Sequence, residues 1–417
     1  MPDPMRFAAA QVTPEMIAQA GVEVERCSAA DLARLLSAQL DPAAAYDWGL
    51  LFFTAHFRRQ VAELSTALNI ATLIGCSAEG VIATQQEVEQ QPSVALLAAQ
   101  TPGVNATPFH LRAAHAAEWL ILLRDSAEFR RAVGSPEQPR AFLLLAEPFS
   151  APLSGKPGSF TLLDAFNQHY PGVPVVGGIA SSAPWPGVNA LLLNDEVLFE
   201  GAVGLALSGN VDVDVVVSQG CRPIGRPFRV TRAHQNFILA LDGEPPLDQL
   251  EQVVESLDEA DQNRLHGRLF IGRAVRAPDE LPYASAYGRG DFIIRGIIGG
   301  DPSTGALAVG DLPEVGQVVQ FHLRDANTAR EDLELQLAPY SLFDPPSGAL
   351  LFSCNGRGTR LYDVPNGDVQ VVQAALSDSD PVPLAGFFCA GEIGPIGGRN
   401  FLHGHTASII LFRQPRA

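Results

Sequence analysis

Apolar residues in this chain fall into short dense runs, separated by stretches of helical period, and that rhythm predicts alternating strands and helices. Trp48-Gly-Leu-Leu-Phe-Phe-Thr-Ala55 reads as a strand buried on both faces, Phe57 to Asn69 as an amphipathic helix, and Ala71 to Gly75 as a second strand. That is a βαβ unit. The plan recurs in Ala141-Phe-Leu-Leu-Leu-Ala146, the helical Leu162 to Tyr170 and Val173 to Val176, and again in Ala349 to Ser353, Val369 to Leu376 and Phe387-Phe388. Each unit closes on small residues: Gly75-Cys76-Ser77-Ala78-Glu79-Gly80, Gly177-Gly-Ile-Ala-Ser181-Ser182 and Cys389-Ala-Gly-Glu392. If the paired strands are parallel with right-handed crossovers, these turns leave at carboxyl ends of strands, where open α/β sheets hold ligands.

Antiparallel pieces lie between the units. Val94 to Ala99 and Pro108 to Leu111 pattern as strands, Ala190 to Leu207 as a hairpin turning at Asn194-Asp195, and Val211 to Val217 as a half-exposed strand. Ser28 to Leu40 is a capped helix ahead of them. Gly and two prolines in Leu241-Asp-Gly-Glu-Pro-Pro246 mark a boundary, followed by a helix at Leu247 to Leu257, a hairpin across Gly299 to Gly305 and a strand at Gly316 to Leu323. The expected fold class is therefore α/β, mixed parallel and antiparallel sheets with flanking helices, in two domains built from related βαβ-containing units. A lead-in spans 1–44, and the domains span 45–243 and 244–417.

A chain of 417 residues exceeds what one core usually serves, which agrees with two domains. With 28 Lys and Arg against 46 Asp and Glu the net charge is -18, and no basic cluster interrupts it. Nucleic acid and anionic membrane are not expected partners. No apolar run is long enough to cross a bilayer and no leader-like segment opens the chain, so the expected compartment is the cytoplasm. Five cysteines without a C-x-x-C pair read as free thiols.

Several further segments stand out: Ile74-Gly-Cys-Ser-Ala-Glu-Gly80 with Glu87-Val-Glu89, Val176-Gly-Gly178, Phe199-Glu-Gly-Ala-Val-Gly204, Ser218-Gln-Gly-Cys-Arg-Pro-Ile-Gly225 with Val230-Thr231, Ser353-Cys-Asn-Gly-Arg-Gly358, Pro383 to Pro395 and Asn400-Phe-Leu-His-Gly-His-Thr406. Together, in this order, they resemble the FIST family, an intracellular sensory domain of signal transduction, in both its N-terminal and C-terminal parts. The resemblance implies a sensor of small, amino-acid-like ligands and supplies no catalytic mechanism. Members often carry an output module on the same chain. Here the signal would pass through a separate output protein, through self-assembly into a homo-oligomer, or not at all.

The chemistry-bearing residues gather in the small-residue turns. Cys76, Cys354 and Cys389 each follow an apolar strand, where backbone N–H groups can stabilise a thiolate, although a free cysteine is equally a small core residue. Glu79 and Glu392, with Arg222, Arg357 and Arg399, could form a polar cluster for an α-amino acid, Arg holding the carboxylate and Glu the ammonium, or ordinary salt bridges between loops. Arg357, flanked by glycines, is the expected anchor. Ser77, Ser181, Asn355 and His403 complete the expected ligand-binding set. His403 and His405 match no zinc signature, so no metal is expected, and a hydrogen bond that fixes the loop suits them better. Neither a dinucleotide fingerprint nor a P-loop is present, so no cofactor is expected. The leading expectation is a binder of a small polar metabolite, in a cleft between the two halves. An enzyme using Cys354 or Cys389 as nucleophile is the alternative.

Overall fold

The computed structural model describes residues 4–153, 159–265, 269–275, 287–288 and 290–415. Two compact units divide the chain, one of Met1–Ser154, Phe160–Val217 and Glu334–Ala417, the other of Gly155–Ser159 and Ser218–Leu333. The second is thus inserted in the first. In chain order the strands are β1 (Arg6–Val12), β2 (Trp48–Thr54), β3 (Thr72–Ala78), β4 (Gly80–Ala83), β5 (Gln86–Glu89), β6 (Val94–Gln100), β7 (Val104–Leu111), β8 (Ala141–Ala146), β9 (Val175–Ile179), β10 (Leu191–Leu193), β11 (Glu196–Leu198), β12 (Ala202–Gly209) and β13 (Asp212–Ser218). The inserted unit contributes β14 (Arg222–His234), β15 (Phe237–Leu241), β16 (Leu269–Ala274), β17 (Phe292–Asp301), β18 (Ala306–Val309) and β19 (Val318–Leu323). β20 (Gly348–Cys354), β21 (Leu384–Cys389), β22 (Glu392–Ile396), β23 (Arg399–His403) and β24 (Ala407–Arg413) complete the chain.

The three expected βαβ units become three six-stranded sheets of one design. Their orders are β1-β6-β2-β3-β10-β11, β7-β12-β8-β9-β22-β23 and β13-β24-β20-β21-β4-β5. The parallel pairs β2/β3, β8/β9 and β20/β21 occupy the middle of each, and a hairpin closes one edge. β2, β8 and β20 are buried along their whole length, which is why each is a dense apolar run broken only by Thr54 in β2 and Ser353 in β20.

Each hairpin belongs to a neighbouring sheet. The chain leaving β3 forms β4/β5 on the edge of β21, the chain leaving β21 forms β22/β23 on β9, and the chain following β9 forms β10/β11 on β3. Three sheets therefore exchange edges in a closed cycle. Their inner faces share one core, where Phe52, Cys76, Leu145, Val176, Phe352, Phe387 and Cys389 meet, Phe52 stacking on Phe387 with ring centroids 4.9 Å apart. The helix Ala29–Ser37, opened by a Ser28–Asp31 capping box, covers the first sheet with Val61–Leu68. Trp119, Phe129, Phe142 and Phe166 fill the corresponding layer over the second.

Two expectations are corrected here. The small-residue motifs do not all lie in turns, because Cys76, Ser77, Gly177 and Gly178 belong to strands β3 and β9. Gly75, Gly177 and Gly386 pair with Leu51, Leu144 and Leu351, and a Cβ at any of the three would be driven into that leucine's carbonyl oxygen. The glycines serve strand packing. Likewise Glu392 to His403 is a hairpin, turning at Gly397 and Gly398 with φ of 58° and 79°. Pro395 is accommodated because only Glu392 and Ile393 of its strand pair with β9.

In the inserted unit six strands close into a barrel, in the order β14-β15-β18-β17-β16-β19. Ile224, Phe228, Ile271, Leu307 and Phe321 pack its interior. The β17/β18 hairpin and β19 were legible in the chain, but β14, β15 and β16, and the closure that joins β14 to β19, were not.

Candidate functional site

The turns by which the chain passes from sheet to sheet are bonded to one another. Ser181 donates its backbone N–H to the Ser77 carbonyl at 3.2 Å, accepts the Glu79 N–H on its hydroxyl at 3.0 Å and donates that hydroxyl to the Phe388 carbonyl. Ser77 Oγ accepts the Ala190 N–H at 2.8 Å and lies 2.9 Å from Ser182 Oγ. Ile179 N–H bonds the Gly391 carbonyl at 2.9 Å, and Asn355 N–H bonds the Cys389 carbonyl at 2.9 Å. Residues from 34 (Asn355 and Cys389) to 212 (Ile179 and Gly391) positions apart thus form one knot.

Beside it opens a narrow crevice lined by Glu79, Gly80, Glu89, Gln90, Asn355, Arg360 and Phe388, with an empty volume of about 170 Å³. As the side chains stand, it has room for about one water. Arg360 crosses it. Its guanidinium donates to Glu79 Oε2 at 3.1 Å, to Glu79 Oε1, and to the Asn355 carbonyl at 2.6 Å. On the neighbouring wall the Glu89 carboxylate accepts the Thr359 N–H and hydroxyl, both at 2.9 Å. Gly358 stands at φ 57° against that carboxylate, which leaves no room for a side chain.

Arg357 does not reach the crevice. Its side chain is fully buried and forks onto Asp368, Nε to Oδ2 at 2.8 Å and Nη2 to Oδ1 at 2.7 Å, with Tyr362 OH 2.7 Å from Nη2. Asp368 also accepts the hydroxyls of Ser353 and Tyr362, at 2.7 Å each. Burial alone would raise the Asp368 carboxyl, but the guanidinium overcomes it and holds the group below its ordinary range. The expected anchor is a structural ion pair, because the backbone at Gly358 turns Arg357 inward and Arg360 outward.

The thiols are core residues. Cys76 and Cys389 are fully buried, and burial pushes both well above the ordinary thiol range, with Glu392 and the other two thiols adding to the rise at Cys389. Cys354, 6% exposed, is the nearest to solvent of the three, and its Sγ accepts the Gly356 N–H at 3.4 Å. Glu392 is buried too, and its Oε2 accepts the Thr406 N–H at 3.0 Å and hydroxyl at 2.8 Å. His403 Nε2 lies 2.9 Å from the Gly394 carbonyl across the β22/β23 hairpin. Arg222 belongs to the inserted unit, paired with Asp261 at 2.5 Å. Of the expected set, then, Glu79 and Asn355 line the crevice, Ser181 and Cys354 bond residues that line it, and Cys76, Ser77, Arg357, Cys389, Glu392 and His403 are interior. Arg360 and Glu89 were missed. Arg360 stands only three positions after Arg357, and Glu89 was quoted for the resemblance without a role.

Among the described residues no group of three or more His, Cys, Asp or Glu side chains is placed to hold a metal ion. No helix among them is long and apolar enough to cross a membrane.

The chain is similar to the mycobacterial protein MT0656 of Mycobacterium tuberculosis (strain CDC 1551 / Oshkosh), 40% identical over 354 residues that cover 84% of this chain and 86% of that one. It is similar also to Mb0898c of Mycobacterium bovis, 39% identical over 368 residues, covering 87% and 89%. Both relatives are described as uncharacterized. Residues 47–244 match the FIST N domain and residues 246–395 the FIST C domain. Joined to the three-sheet architecture, these matches place the chain in the FIST family, whose domains are sensory domains of signal transduction.

Proposed function

We propose that this protein senses a small zwitterionic metabolite of amino-acid type in the crevice between Glu79 and Arg360. The observation that carries the reading is that pair. A guanidinium fork suits a carboxylate and a glutamate suits an ammonium, and here the two satisfy each other, so a ligand would enter by parting them. A zwitterion can replace each partner with a group of the same charge, so the exchange is electrostatically neutral. The side chains are 44% and 27% exposed, and an ion pair that open is worth only about 0–1 kcal/mol, so parting it costs little. Glu79 and Glu89 lie in the FIST N match and Asn355 and Arg360 in the FIST C match, so binding would draw on both. The signal would pass in the cytoplasm to a separate output protein or through self-assembly.

Differential scanning fluorimetry with amino acids and related metabolites tests this. A ligand that binds the folded state stabilises it by RT ln(1 + [L]/Kd), about 3 kcal/mol at a hundredfold excess over Kd. The shift should vanish in Arg360→Gln and Glu79→Gln. No shift with any metabolite in folded protein, or a shift that survives both substitutions, sinks the reading.

A cysteine-dependent reaction is the second reading, now confined to Cys354. The Gly356 N–H is aimed at its sulfur, and the Arg360 guanidinium lies close enough to feel its charge. Iodoacetamide labelling at Cys354 well below the ordinary thiol pKa of about 8.5 would favour it.

A further inference from the structure

Glu87 and Glu89, two apart on β5, grip the two ends of one loop. Glu89 holds Thr359, and Glu87 Oε1 accepts the N–H groups of Asp368 and Val369, at 2.9 and 2.8 Å, in the first turn of the helix Gly367–Leu376. Between these grips lies the stretch that carries Arg360. β5 is the outermost strand of its sheet, so nothing in that sheet backs it on the far side.

The grip at Glu87 is unusual for a carboxyl. Its side chain is buried, and among the described residues Oε2 has no hydrogen-bond partner. Asp368 faces it from the helix, Arg357 and Tyr362 adjoin Asp368 from the preceding loop, and Glu89 stands on its own strand. β4 opposite, Gly80–Ala83, carries no ionisable group. Arg357, the cation beside Asp368, is already forked onto it. A second negative charge would therefore lie beside Asp368 in a dry site, opposed only by the helix N-terminus. Burial and the Asp368 charge accordingly push Glu87 up to about 8.

We infer that Glu87 is a proton-operated latch, which holds the β4/β5 hairpin against the helix Gly367–Leu376 while protonated and releases that edge, widening the crevice, when ionised. Glu79, Gly80, Glu89 and Gln90 would move with the hairpin, Asn355 and Arg360 would stay with the loop. The consequence for ligand entry rests on the crevice being the sensor site, but the latch does not.

Amide hydrogen exchange in the full chain, corrected for the intrinsic pH dependence of exchange, tests it at pH 6, 7, 8 and 9. In peptides covering Gln86–Glu89 and Asp368–Val372 the corrected rate should rise roughly tenfold between pH 7 and 9, the weight of one pK unit. In Glu87→Gln, which keeps an acceptor for both N–H groups and cannot ionise, it should stay flat. A flat wild-type profile overturns the latch, and so does an equal rise in the variant. Should the variant not fold, the wild-type series decides alone. A metabolite screen without hits would remove the sensor site and leave this result standing.

Discussion

Ser181 joins Phe388 across 207 positions of sequence, its hydroxyl donating to the carbonyl of the penultimate residue of β21, just before Cys389, while accepting the N–H of Glu79. One small side chain therefore fastens the exits of all three sheets. Replacing Ser181 with alanine leaves the Glu79 N–H and the Phe388 carbonyl without that partner, at a cost of about 1–3 kcal/mol. Urea denaturation should show a lower midpoint with unchanged slope, and an unaltered midpoint would mean that the knot is held by its other bonds.

The buried Arg357–Asp368 pair should be sensitive to the loss of either member. Asp368→Asn leaves a guanidinium uncompensated in the interior, and breaking such a pair typically costs about 3–5 kcal/mol. Arg357→Lys should also destabilise, since an ammonium cannot reproduce the fork. If Arg357 were instead a ligand anchor, both variants would keep their thermal stability and lose only binding.

Global stability should fall as pH rises toward 8. Glu87 titrates at about 8 in the folded chain and near the ordinary 4.5 when unfolded, so between these values the folded state holds a proton that the unfolded state has released. Its contribution is complete below about pH 4.5 and is lost as pH passes through about 8. Denaturation midpoints of Glu87→Gln should exceed those of the wild type at pH 8 and converge with them near pH 5. A variant with the wild-type slope would assign the dependence elsewhere.

Cys76 and Cys389 should label with iodoacetamide only as fast as the chain opens, because both thiols are buried and held protonated. Cys354 should label first among the three. Mass spectrometry of partially labelled protein gives the order, and early modification of Cys389 would show that the shared core is accessible.

How much of this was legible in the chain follows from what each feature depends on. β2, β8 and β20 were readable because a strand buried on both faces is written as a dense apolar run, a demand met locally. The threefold recurrence followed from those runs, and the family resemblance from motifs that, apart from Asn400 to Thr406, the domain matches cover. Hairpin exchange was not readable. Gly80–Ala83 would suit the edge of its own sheet as well as that of β21, and only packing of three sheets on one core selects between them. The same holds for the crevice. Arg357 and Arg360 are equivalent as letters, and which of them is buried depends on the backbone turn at Gly358 against Glu89, a residue 270 positions from Thr359 whose approach no local pattern encodes.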